Sequence, residues 1–279
     1  MPNYNITDHQ TPIVIMVGPA SCGKSMVLVR IAKYLHEHGY SVHADTAYIN
    51  TQKYIADCEE FERHLNSNIA MPGNVTDLLV EVRDPNNNKI CQFLEAPGED
   101  YFSALDPKKE VPPYLQTICS DVVPNRKCFV FLLDLDSYPV DDKGVAHKEL
   151  RFRNNPDLRN DYTDRLLNVI LPLSRKKIDR FMLLYNKIDL TGYGDKNQCE
   201  NVKGALKDAK DNYGRLFSDG KMKRKYLGGF ITLNNYKFFP FCTGSFFNEK
   251  DDEGHTIQRY IISGNTYPQM LWTELMRRF

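Results

Sequence analysis

No stretch of this 279-residue chain holds the roughly 18 consecutive apolar residues of a membrane-crossing helix, so no membrane span is expected. Net charge is missing too. The 36 Lys and Arg cancel the 36 Asp and Glu, which leaves no global field to draw the protein to nucleic acid, and no nucleic-acid partner is expected. Paired metal-ligand spacings are absent: the cysteines at 22, 58, 91, 119, 128, 199 and 242 contain no Cys-x-x-Cys, and no His-x-x-x-His occurs. An odd number of cysteines cannot pair completely within one chain, which fits reduced thiols, and Cys91 and Cys128 sit in apolar runs as small hydrophobes do. Residues 1–7 lack the basic-then-apolar layout of a secretion signal, and neither repeats nor low-complexity tracts occur. The expectation is a cytoplasmic, globular protein.

There is ample material for a core, with 42% hydrophobic and 11% aromatic residues. Residues 13–17 form the apolar run Ile-Val-Ile-Met-Val, and directly after it comes Gly18-Pro19-Ala20-Ser21-Cys22-Gly23-Lys24-Ser25. This is the Gly-x-x-x-x-Gly-Lys-Ser phosphate loop. A strand that turns abruptly into a helix leaves a row of unpaired backbone N–H groups aimed at one concave point, where a polyphosphate fits. Gly18 lets the chain leave the strand sharply, and Gly23 lets the backbone approach phosphate oxygens. Lys24 is expected to reach the β- and γ-phosphates and Ser25 to give its hydroxyl to Mg²⁺. Gly18, Ala20, Ser21, Cys22, Gly23, Lys24, Ser25 and Met26 are the candidate phosphate-side residues. Val27, Leu28, Ile31 and Leu35 then recur at helical spacing until Gly39 supplies a stop.

Further along, residues 41–49 read as a strand, and Tyr54, Ile55, Cys58, Phe61 and Leu65 mark one face of a helix. The runs 78–82 and 89–94 around Asp84-Pro85-Asn86-Asn87-Asn88 predict an antiparallel hairpin, and 128–133 and 181–185 predict parallel strands buried on both faces. Asn155-Pro156-Asp157 starts a helix that Pro172 should end or kink, and a second helix covers 202–217. Residues 228–233 and 237–241 are expected strands around an Asn234-Asn235 turn, and 267–278 a closing helix. The basic cluster at 221–225 reads as a solvated loop, and Asp134 and Asp136 as polar loop residues after a strand. Alternating strands and helices predict an α/β three-layer sandwich with a mostly parallel central sheet and one antiparallel hairpin. The motif layout favours a single domain over 10–279, with an inserted segment at about 41–72 and a C-terminal extension at about 247–279.

Asn186-Lys187-Ile188-Asp189 ends an apolar run. A carboxylate at Asp189 can accept both the ring N–H and the exocyclic amine of guanine, a donor pair that adenine lacks. With these residues the chain resembles the P-loop GTPases of the Ras-like, translation-factor-related class. The resemblance runs through most of residues 10–246 and implies that Asn186 braces the phosphate loop while the Lys187 stem lies over the purine. Glu95-Ala96-Pro97-Gly98 stands where the family carries Asp-x-x-Gly, which implies a Mg²⁺ role for Glu95 and a γ-phosphate contact for Gly98. Glu95 adds a methylene to the family's Asp, which leaves hydrolysis less secure than binding. Glu99 follows where many members place a water-orienting Gln; it is either that group or a solvated acid. Thr76, just ahead of the hairpin, matches the Thr that closes over Mg²⁺ and the γ-phosphate, with Thr51 as its rival and a helix-cap reading open for both. Cys242-Thr243-Gly244 matches the family's small-residue loop at the base, with Thr243 and Gly244 as candidate contacts.

The resulting expectation is a guanine-nucleotide-binding switch that hydrolyses GTP to GDP and phosphate with Mg²⁺. Lys24, Thr76 and Glu99 are its candidate catalytic residues, and Ser25, Thr76 and Glu95 its candidate metal ligands. A protein effector or regulator is implied as partner. A catalytically weak pseudo-GTPase that binds nucleotide is the alternative, and an ATP-dependent kinase or ATPase is a further one that Asp189 argues against.

Overall fold

Apolar residues on both faces explain why β1 (Ile13–Val17) lies at the centre of the sheet: all five are buried, so none can face water. The computed structural model describes residues 4–67, 69–70, 77–103, 109–139, 145–174, 179–226, 231–250, 254–262 and 264–279. After β1 come α1 (Lys24–Glu37), β2 (Ser41–Ala44), α2 (Gln52–Leu65), β3 (Leu78–Arg83) and β4 (Lys89–Glu95). Two short helices, α3 (Gly98–Tyr101) and α4 (Pro113–Ile118), lead to β5 (Lys127–Leu133) and α5 (Pro156–Arg165). Next are β6 (Arg180–Tyr185), α6 (Val202–Ser218), β7 (Lys223–Tyr226), β8 (Ile231–Asn234) and β9 (Tyr236–Pro240). The chain closes with β10 (Ser245–Lys250), β11 (Thr256–Ile261) and α7 (Thr266–Arg278).

Seven strands form the main sheet in the order β2-β3-β4-β1-β5-β6-β9. From β4 to β9 every neighbour is parallel; β2, β3 and β4 pair antiparallel at one edge. The expected hairpin is β3–β4, and its turn has a local cause: the Asp84 carboxylate accepts the N–H of Asn86 and of Asn88 at 2.9 and 2.8 Å. α1 packs with α2 and α7, while α5 packs with α6. This is an α/β three-layer sandwich. Parallel order matters for function, because it brings the C-terminal ends of β1, β5, β6 and β9 to one rim, where the motif loops emerge.

Several local expectations are corrected. Strand β2 stops at Ala44, short of the expected 49. The helix from Asn155 does yield near Pro172, through a π-helical stretch (Leu166–Ile170) and a 3-10 turn (Leu171–Leu173). Asn234 and Asn235 do not join two paired strands: β8 pairs with β7, while β9 enters the main sheet beside β6. Burial explains the choice, since Tyr236 and Phe239 of β9 go into the core and β8 is exposed throughout. The basic residues Lys223 and Arg224 therefore lie on a strand rather than in a loop. The extension adds no strand to the main sheet; β10 and β11 make a separate, largely exposed hairpin.

Candidate functional site

The loop between β1 and α1 is tight at every glycine. A Cβ on Gly18 would lie 2.5 Å from the Cys22 sulfur, and one on Gly23 would lie 2.8 Å from Asn186 Nδ2. Gly23 also holds φ 89° as it caps α1, a conformation that favours glycine. Lys24 is buried, and its ammonium donates to the carbonyls of Gly18 and Pro19 at 3.1 and 3.2 Å, folding the loop onto its own cation. Cys22 and Met26 are buried, whereas Ser21 and Ser25 are partly open.

Ser25 and Glu95 meet. The Ser25 hydroxyl donates to Glu95 Oε1 at 2.8 Å, while Oε2, buried at the end of β4, has no partner. Burial pushes the Glu95 carboxyl up to about 7, against the pull of the Lys24 ammonium and the Ser25 hydrogen bond. An adjacent hydroxyl and carboxylate, one oxygen of it unpaired, are the hard donors that Mg²⁺ takes, so these residues fit that ion. Gly98 begins α3 directly against the phosphate loop, where a Cβ would come 2.2 Å from the Ala20 backbone nitrogen. Glu99 faces a depression that it shares with Pro19, Ala20, Phe102, Tyr138 and Phe152. Thr51 caps α2, accepting the Tyr54 N–H at 3.2 Å. Thr76 lies outside the described residues.

The second group of motif residues reaches the first through Asn186. This side chain is buried, and its Nδ2 donates to the Cys22 carbonyl at 2.8 Å across 164 residues of sequence. Lys187 takes φ 55° and places its ammonium 3.4 Å from the Asp134 carboxylate. Asp189 is exposed on the following turn (Ile188–Leu190), where the Cys242 thiol donates to its Oδ1 at 3.1 Å. Burial, and after it the Asp189 carboxylate, pushes that thiol up to about 12. The Ile188 N–H donates to the Phe241 carbonyl at 3.1 Å, which fixes the two loops side by side. Thr243 is buried, and Gly244 has φ 130° with the Ile261 carbonyl 2.6 Å from where a Cβ would be. Lys24, Ser25, Glu95 and Gly98 thus cluster at the phosphate loop. Asp189, Thr243 and Gly244 cluster at the second loop pair, and Asn186 and Lys187 lie between.

Asp134 is the residue that sequence reasoning passed over. It does lie in the loop after β5, as read, but it is only 2% exposed and accepts the backbone N–H of Asp136 and of Ser137, both at 2.6 Å, and the Ser137 hydroxyl at 2.6 Å. A signal was available in the spacing Asp134-Leu135-Asp136-Ser137, since an Asp followed two and three residues on by backbone donors is a turn former. Its burial could not be read from that spacing.

No protein-family model matches the chain, and no curated protein matches it. Solved structures do resemble it in fold. A putative nucleolar GTP-binding protein 1 from Plasmodium falciparum aligns over 99% of this chain and 90% of its own, at TM-score 0.44 and 14% identity. The GTP-bound Ski7 GTPase-like domain of S. cerevisiae aligns over 84% of this chain and 43% of that one, at TM-score 0.39 and 17% identity. The signal recognition particle receptor SRb-GTP/SRX complex from Chaetomium thermophilum covers 83% and 90%, at TM-score 0.37 and 13% identity. These are loose likenesses of fold.

Proposed function

We propose that the chain is a guanine-nucleotide-binding switch protein that hydrolyses GTP to GDP and phosphate with Mg²⁺. The observation that supports this most is the hydrogen bond from Asn186 to the Cys22 carbonyl, which ties the Asn-Lys-x-Asp turn to the phosphate loop. A polyphosphate entering the loop offers Lys24 stronger, anionic acceptors than the Gly18 and Pro19 carbonyls it now holds. The backbone N–H groups from Ala20 to Met26 surround the phosphate oxygens. Ser25 and Glu95 would hold Mg²⁺, and the resemblance implies Thr76 as a further ligand. When bound, the ion would supply positive charge to offset that of the phosphates. In this reading Gly98, packed on Ala20, meets the terminal phosphate through its N–H, and Glu99, at the depression beside the loop, orients a water. Asp189 accepts the two guanine donors at the far end, with the Thr243–Gly244 backbone alongside.

A second reading, a nucleotide-binding pseudo-GTPase, is favoured by one observation: Glu95 already rests on the Ser25 hydroxyl with its carboxyl raised toward neutrality. Hydrolysis and binding separate experimentally. Calorimetric titration with GDP, GTP and ATP should show guanine nucleotides bound at least about a hundredfold tighter, from two hydrogen bonds that adenine cannot make. Equal affinity for ATP would refute the base assignment. Single-turnover phosphate release from bound GTP then decides between switch and pseudo-enzyme. A protein effector or regulator that reads the nucleotide state belongs to the first reading.

A further inference from the structure

Asp134 is linked to both ends of the site, to Lys187 directly and to Ser21 through its own turn. Its carboxylate accepts three donors from its own turn, the N–H groups of Asp136 and Ser137 and the Ser137 hydroxyl, each at 2.6 Å. The Lys187 ammonium is the fourth, at 3.4 Å. The turn is anchored from α6 as well, where the Tyr213 hydroxyl donates to the Asp134 carbonyl at 2.5 Å. Ser137 is fully buried, and the residue after it grips the phosphate loop. Tyr138 donates its N–H to Ser21 Oγ at 2.9 Å, and the same hydroxyl donates to the Tyr138 carbonyl at 3.2 Å, across 117 residues of sequence. Ser21 holds φ 59°, a left-handed conformation that a residue with a Cβ keeps only where its surroundings fix it.

A carboxylate this enclosed is costly unless its oxygens are satisfied, and here the turn satisfies them with charge-assisted bonds. The remaining attraction goes to a flexible lysine. With its ammonium held, the Lys187 stem lies in one place, and its left-handed backbone begins the turn that carries Asp189. We infer that Asp134 is a positioning residue, which holds the Lys187 stem for the base and, through Ser137 and Tyr138, holds Ser21 of the phosphate loop in the same frame. This rests on the guanine-nucleotide reading above.

The test is a double-mutant cycle on the full chain. Asp134→Asn keeps an oxygen for the turn's N–H groups but removes the charge that anchors Lys187. Affinities for GDP and ADP are measured in wild type, Asp134→Asn, Lys187→Ala and the double variant. Asp134→Asn should lower the GDP-over-ADP preference about tenfold, and should change it less than about twofold once Lys187 is absent. Ser21→Ala should weaken GDP and ADP alike, leaving their ratio intact. A ratio unchanged in Asp134→Asn, or lowered equally with and without Lys187, overturns the inference while leaving the base assignment standing. A wild type with no preference for GDP overturns both. Should Asp134→Asn fail to fold, Ser137→Ala loosens the carboxylate without touching Lys187, and should reduce the preference about threefold. No reduction there overturns the inference.

Discussion

Replacing Asn186 with Ala removes a side-chain bond that joins the Asn-Lys-x-Asp turn to the phosphate loop. The donor is buried and the bond to the Cys22 carbonyl is 2.8 Å long, so its net loss costs about 1 kcal/mol, with about 1–2 kcal/mol more for the void left by the carboxamide. Part of that is offset, because Asn186 Oδ1 has no partner and Ala relieves it. A net loss of about 2 kcal/mol is expected, or roughly 4–8 °C in Tm for a chain of this size. Asn186→Asp sharpens the test. It keeps the volume but sets a carboxylate oxygen against the Cys22 carbonyl, and a buried unpaired charge costs about 3–5 kcal/mol. Urea denaturation followed by circular dichroism should therefore rank stability as wild type, then Ala, then Asp. An Ala variant as stable as wild type refutes the brace.

Lys24→Ala should cut GTP affinity by at least about a hundredfold in a fluorescent-nucleotide titration, since no second cation replaces it in the loop; wild-type affinity would contradict the phosphate assignment. Asp189→Asn exchanges a double acceptor for a mixed donor and acceptor, so binding should shift from GTP toward xanthosine triphosphate, and an unchanged base preference would remove Asp189 from the base site. Asp8 supplies a pH signature. Burial raises its carboxyl, but the Thr11 hydroxyl, the N–H groups of Thr11 and Gln10, and Lys89 outweigh that and hold it at about 2. A depressed folded pKa gives stability that is present above the unfolded value of about 4 and lost as pH falls through about 2. Asp8→Asn should thus be less stable by about 1 kcal/mol near neutral pH, allowing for solvent screening, with the gap closing toward about pH 2. A gap that stays constant with pH would rule this out.

Short-range chemistry was legible where the chain is either continuously apolar or locally self-bonding. The runs that became β1, β5 and β6 read as strands buried on both faces, and Asp84 with its asparagines as a turn. The phosphate loop was equally plain, because its glycines and Lys24 act within eight residues of one another. What could not be read was partner choice. Lys223 and Arg224 carry no sign that they will pair with β8, nor Asn234 and Asn235 that the sheet changes there; burial of Tyr236 and Phe239 in β9 decides it. Thr51, for which the sequence left both a switch role and a helix cap open, caps α2.

By itself, then, the sequence determined the chemical groups available and the order in which they leave the strands, since both depend on residue type and near-neighbour spacing. Only the tertiary structure decided that the Asn186 brace, expected from the resemblance, would take the Cys22 carbonyl, that Glu95 would rest on Ser25, and that Asp134 would be enclosed between Lys187 and the turn leading to Ser21. Those contacts join residues far apart in the chain, and their geometry follows from the parallel packing of β1, β4, β5 and β6.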